Sequence, residues 1–220
     1  MCRLLAVVSR NPTNVRRHLD AFARICAASP EYQGHGWGCA VWRGDSWECY
    51  RNLKPIWTDD FRPEGEIRLL LAHARSAFRN EDIALENNMP FVGPDLAFAF
   101  NGEMHGVRLP IDGRTGASRL FSFIQNLRRQ ENGSAVSNAA GRAMAVVRRR
   151  TAHIRACNFI LADSTTLYVH SLFTSEPEYF TMSLRSTPGE LVVCSAPYED
   201  DHASWIPIRN DNMQVFPCSF

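Results

Sequence analysis

The sequence predicts a layered α+β domain: two stacked, mainly antiparallel sheets covered by helices. Strand-length apolar runs lie on both sides of a central helical block, and short turns join the runs that follow it. A hydrophobic content of 45% supplies enough apolar side chain for several buried layers. No repeat, low-complexity linker or composition break divides the 220 residues, so a single domain over 1–220 is expected.

Cys2 to Val8, rich in branched apolar residues, reads as a buried strand, and Asn11-Pro12-Thr13-Asn14 as the start signal of a helix ending near Ala27. Gly34 to Gly38 forms a flexible turn into a strand at Cys39 to Trp42. Gly44-Asp45-Ser46 then turns the chain into a partner strand, Trp47 to Arg51. Ile67 to Ala72 reads as a central strand with a long irregular stretch beyond it, and Asp95 to Phe100 as another, stopped by the turn signal Asn101-Gly102. Segments 116–130 and 134–150 carry helical periodicity and are separated by Asn132-Gly133. Strands are expected again at 157–162, 167–170, 179–182 and 191–194.

The formal net charge of +1 and a single lysine, Lys54, give no reason to expect nucleic acid as a partner. The basic run Arg148-Arg149-Arg150 fits a helix C-terminus. Seven cysteines without Cys-x-x-Cys spacing argue against a disulfide framework or a zinc knuckle, and the seven histidines do not fall at zinc-ligand spacings, so no metal is expected. There is no signal-like start and no apolar run of membrane-spanning length. A cytoplasmic protein without a membrane partner is the expectation.

The most informative stretch is Met1-Cys2-Arg3. Removal of Met1, which the small Cys2 side chain permits, leaves a residue carrying both a thiol and a free α-amine. Those groups titrate ordinarily near ~8.5 and ~7.7–8.0, so proton transfer between them is nearly balanced and the amine can serve as base to the thiol. A small apolar cysteine opening a buried strand is the competing reading.

Ordered motifs strengthen the first reading: Met1-Cys2, Gly36-Trp37-Gly38, His73-Ala74-Arg75, Asn101-Gly102-Glu103, Asn158 to Asp163, and Val193 to Pro197. Together they resemble the class II glutamine amidotransferase domain of the N-terminal-nucleophile hydrolases over nearly the whole chain. The similarity is greatest to free-standing members, including those that hydrolyse γ-glutamyl amides in thiohistidine biosynthesis. The resemblance implies a four-layer α-β-β-α sandwich and no cofactor. It implies that Cys2 attacks a side-chain amide to give a γ-glutamyl thioester, with Asn101 and the Gly102 N–H as oxyanion donors. Arg75, followed by Ser76, would clamp a substrate carboxylate through its planar fork, and Gly36 and Trp37 would shape the pocket.

Departures from the pattern bear on the substrate. Where the family carries an aspartate that binds the α-ammonium, this chain has Gly116, with Ser118 nearby. The family's Asn-x-His-Pro-Phe appears as Asn87-Asn88-Met89-Pro90-Phe91, and Phe100 precedes Asn101 where many members have His. Loss of the carboxylate should cost free glutamine roughly a few kcal/mol of binding, which favours a glutamyl amide with a blocked or substituted α-amine, or a larger amide. Asp112 is an alternative partner for the amine. Three readings remain: an amidohydrolase acting on glutamine or a γ-glutamyl amide, an ammonia-supplying subunit of a separate synthase, and a binding module that has lost turnover. A homo-oligomer is compatible with each.

Overall fold

The structure is a computed structural model, and it describes residues 1–109, 111–130, 135–199 and 204–218. The elements run β1 (Arg3–Thr13), α1 (Arg16–Ala27), β2 (Trp37–Trp42), β3 (Trp47–Asn52), β4 (Ile67–Ala74), β5 (Phe91–Val92) and β6 (Ala97–His105). They continue with α2 (Gly116–Gln130), α3 (Val136–Arg150), β7 (His153–Ala162), β8 (Thr166–Ser171), α4 (Pro177–Phe180), β9 (Ser183–Ser186), β10 (Glu190–Cys194), β11 (Ile206–Pro207) and β12 (Asn212–Pro217). One sheet has the order β11-β9-β10-β1-β4-β2-β3 and the other β12-β8-β7-β6-β5, every pairing antiparallel.

Alternation along each strand builds the layers. In β1, Leu5 and Val7 pack with Leu19, Phe22 and Ile25 of α1, while Leu4, Ala6 and Val8 face the other sheet. In β6, Phe98 and Phe100 pack under Leu120, Ile124 and Val147 of α2 and α3, whereas Ala97 and Ala99 face inward. The result is the expected α-β-β-α order. The layer between the sheets contains five alanines, Ala6, Ala40, Ala97, Ala99 and Ala162, so the two sheets approach closely.

Several local expectations change. Asn11-Pro12-Thr13 belongs to β1, which resumes pairing with β4 at Thr13 after an irregularity, and Asn14 Oδ1 takes the Arg16 N–H at 2.9 Å where α1 begins. β6 does not stop at Asn101-Gly102 but runs on to His105, because the β7 ladder holds both residues extended and outweighs their turn propensity. The expected strand at 179–182 is instead the end of α4 followed by β9, since Glu176 is left-handed and Pro177 opens a helical turn. β5, β11 and β12 are additional short or edge strands. The Asn132-Gly133 turn lies outside the described residues. No helix among the described residues is long and apolar enough to cross a membrane.

Candidate active site

Three chain segments meet at one end of the sandwich. The β1–β4 register sets Arg3 opposite Ala74 and Leu4 opposite His73, which brings Cys2 alongside Arg75 and Ser76. The other sheet contributes β6, packed across from β1 and β4. Between them lies a cleft of about 520 Å³, lined among others by Cys2, Arg75, Ser76, Phe100, Gly102 and Gly116.

Cys2 is half-buried, and its Sγ lies 3.7 Å from the Ser76 carbonyl oxygen. Burial pushes the thiol above its ordinary pKa, opposed by the nearby terminal ammonium, a backbone hydrogen bond at Ser76 and the Arg75 guanidinium. In the Met1-bearing chain that ammonium belongs to Met1 and pairs with Glu31. Burial lowers its pKa. Cys2 here has a peptide nitrogen, which cannot act as a base.

Asn101 and Gly102 occupy adjacent positions on β6. By alternation Asn101 shares the inward face with Ala97 and Ala99; it is 1% exposed, and its Oδ1 has no partner. The main chain at Gly102 is free to donate for a reason of sheet geometry. Cys157, opposite Gly102, gives its N–H to Leu172 O at 2.7 Å on the β8 side, so the Gly102–Cys157 pair is a non-hydrogen-bonded one. The Gly102 N–H therefore points to the opposite edge of β6, where β5 reaches only Phe98 and Ala97. A side chain at Gly102 is impossible without movement: its Cβ would stand 2.3 Å from Ala156 O and 2.6 Å from Phe100 Cζ.

Arg75 is 7% exposed and lines the cleft, yet its Nη1 has no partner, and its guanidinium makes no ion pair or side-chain hydrogen bond among the described residues. Desolvation lowers its pKa. Its backbone is clamped from both sides, since Arg75 N–H donates to Gly36 O at 2.8 Å and His35 N–H donates to Arg75 O at 3.1 Å. Gly36 thus bears on the site through Arg75. It has φ +115° and room for no Cβ, which would meet Asn88 Nδ2 at 2.1 Å. Trp37 lies on the other face of the sheet, fully buried beneath α1, where its Nε1–H donates to Asp59 at 2.9 Å; it does not line the cleft. His73 is also fully buried, and burial beside Arg75 lowers its pKa to about 3, so its ring is neutral.

Of the residues that sequence reasoning passed over, Arg155 lines the cleft, and Gln33 and Tyr179 hold Met1 beside it. Arg155 bonds Glu103 at 2.8 Å and Glu176 at 2.5 Å and lies 3.8 Å from Glu31. Burial raises the Glu103 pKa, but its bonds to Arg155 and His105 outweigh that effect and hold the carboxyl below its usual range. Gln33 and Tyr179 grip the Met1 carbonyl. Arg155, Gln33 and Tyr179 fall in no spacing pattern that marks them in the sequence, whereas Glu103 stands in the Asn101-Gly102-Glu103 motif. Gly116 opens α2 at the rim, where Thr115 and Ser118 cap each other reciprocally. A Cβ at Gly116 would touch only Met104 Cε, at 3.7 Å. Asp112 is not among the residues lining the cleft. Among the described residues no group of three or more His, Cys, Asp or Glu side chains is placed to hold a metal.

The cleft thus brings together a thiol, a backbone N–H and a guanidinium. Residues 1–202 match the family model of class-II glutamine amidotransferases, and the chain belongs to that family. Solved structures with the same fold include the glutamine phosphoribosylpyrophosphate amidotransferase of B. subtilis. It is 13% identical, with a TM-score of 0.70, and the match covers 98% of this chain but 47% of that one. Two others match over nearly their whole length, each 17% identical with a TM-score of 0.63. One is a glutamine aminotransferase class-II domain protein of Silicibacter pomeroyi (98% of this chain, 95% of that one). The other is a predicted glutamine amidotransferase of Pseudomonas aeruginosa PA01 (100% and 98%). A search of curated protein sequences found no match.

Proposed function

We propose that the protein is an amidohydrolase that cleaves a glutamine-like or γ-glutamyl side-chain amide once Met1 has been removed. The supporting observation is that Cys2, Arg75, Ser76 and Gly102 line the same cleft although they come from different sheets and distant stretches of sequence. The unpaired, desolvated guanidinium of Arg75 suits a substrate carboxylate, which it can receive with two parallel N–H donors. The amide then lies toward Cys2. The sulfur adds to the amide carbon as the Cys2 α-amine takes the thiol proton. The oxygen of the tetrahedral intermediate receives the Gly102 N–H and the Asn101 side-chain amide. Collapse expels ammonia or an amine with the proton returned by the α-ammonium, and water attacks the thioester to release the acid.

The α-amino end of the substrate meets no carboxylate at Gly116, which stands before Met104 with Phe100 and Ala117 nearby. This supports a substrate whose α-amine is acylated or otherwise substituted. The experiment is an amine-release assay on the processed protein with free glutamine, N-acetylglutamine and γ-glutamyl alkylamides. Turnover is expected to be highest with the N-blocked or γ-substituted amides and absent in Cys2→Ala; undiminished turnover in that variant would overturn the reading.

A further inference from the structure

The carbonyl of Met1 is held by two side chains. Gln33 Nε2 donates to it at 2.7 Å and the Tyr179 hydroxyl at 2.5 Å. Gln33 is fully buried, yet its Oε1 has no partner. The amide is locked in this orientation, because Nε2 also donates to Glu31 O at 2.8 Å and a flipped oxygen would face two carbonyl oxygens. Tyr179 is equally fixed. The Arg3 guanidinium lies 4.1 Å over its ring, and the next carbonyl, Phe180 O, receives Asn158 Nδ2–H at 2.7 Å.

Tyr179 Oη takes a Gln33 Nε2–H at 3.2 Å, so Gln33 Oε1 is the acceptor left unused in the Met1-bearing chain, and a free amine carries two or three hydrogens where a peptide nitrogen has one. A buried acceptor without a donor is costly, and an amine at this point would satisfy it. Building on the N-terminal nucleophile proposed above, we propose that Gln33 and Tyr179 are positioning residues that hold the α-amine of processed Cys2. When Met1 leaves, its carbonyl goes with it. The amine donates N–H groups to Tyr179 Oη and Gln33 Oε1, and the lone pair not so engaged is directed at the thiol of the same residue. The charged and titratable groups facing the terminus are the Cys2 thiol, Arg3 of β1, Glu31 and His35 of the segment after α1, Glu103 of β6, Arg155 of β7 and Tyr179 of α4.

The test needs no substrate. Alkylation of Cys2 by iodoacetamide, located by peptide mapping because Cys49 is also exposed, is followed against pH in processed chains and in chains that retain Met1 because the aminopeptidase was inhibited during expression. Tyr179→Phe keeps the ring under Arg3 and removes only the hydroxyl. In processed chains it is expected to slow labelling near neutral pH about tenfold, the scale of one lost hydrogen bond, and to displace the midpoint of the pH profile. In Met1-bearing chains it should change neither. Gln33→Met is expected to follow the same pattern. Unchanged rate and midpoint in processed Tyr179→Phe and Gln33→Met would overturn the inference, and so would equal slowing in both forms, which marks a purely structural role. If processed and Met1-bearing wild-type chains label alike, the nucleophile reading itself fails, and this inference falls with it.

Discussion

Arg75 is expected to be a residue whose removal stabilises the fold while disabling it. Its side chain is 7% exposed, Nη1 is unpaired, and no carboxylate stands within ion-pair distance of its guanidinium among the described residues, Asp82 acting on it only from farther off. A buried polar group left without a partner costs about 1–3 kcal/mol, and replacing a buried charge with an apolar side chain of similar length is neutral or favourable. Arg75→Met keeps the length, and the backbone bonds to Gly36 and His35 do not depend on the side chain. A gain of about 1–3 kcal/mol corresponds to a rise in Tm of roughly 2–12 °C for a chain of this size. The assay is thermal unfolding with and without a saturating N-blocked product analogue such as N-acetylglutamate. Wild type should gain stability on adding the ligand, because its carboxylate completes the guanidinium, whereas Arg75→Met should start higher and gain nothing. A variant less stable than wild type, or one stabilised by ligand to the same degree, would refute the reasoning.

Further outcomes follow from the same geometry. Gly102→Ala sets a methyl group 2.3 Å from Ala156 O, so β6 and β7 must separate, and turnover should fall about 10²–10³-fold through the displaced N–H with a smaller change in KM. Gly116→Asp fits in open space before Met104 and should lower KM for free glutamine roughly tenfold or more relative to N-acetylglutamine; an unchanged ratio would exclude Gly116 from contact with the amine. Burial holds the His170 pKa down at about 4, only partly offset by its bond to Cys157 O. As pH falls from 6.5 to 4 the unfolded chain takes up a proton that the folded one refuses, and stability is lost across that window. His170→Phe should make the slope of unfolding free energy against pH shallower there by about one proton, ~1.4 kcal/mol per pH unit; an unaltered slope would refute the assignment.

The layers were legible because apolar runs with alternating small and large residues survive in any context where both faces of a strand are buried. Local chemistry was less reliable where tertiary pairing opposed it. Asn101-Gly102 has strong turn propensity, yet ladder bonds from β7 and the close approach of Ala156 hold it in the strand. At Pro177 the opposite happened, and a proline signal that a Tyr-Phe-Thr-Met run obscured made a helical turn. Of the site, the residues standing in short motifs could be named, and Cys2, Arg75, Ser76 and Gly102 come together at the cleft. Trp37 shares its motif with Gly36 but, by alternation, projects to the other side of the sheet. Gln33, Tyr179 and Arg155 matter only through neighbours more than 20 positions away in sequence, a relation that spacing does not encode.

The five alanines at the midplane have a bearing beyond packing. Cys2 and Arg75 are borne on one sheet and Gly102 on the other, so the width of the slot in which an amide must sit is fixed by methyl groups well away from any substrate. Widening it at Ala99 or Ala6, by a valine for instance, would act like a shim in a vice. The jaws stay intact but no longer close to the right gap, and catalytic distance becomes a property of the molecule's waist.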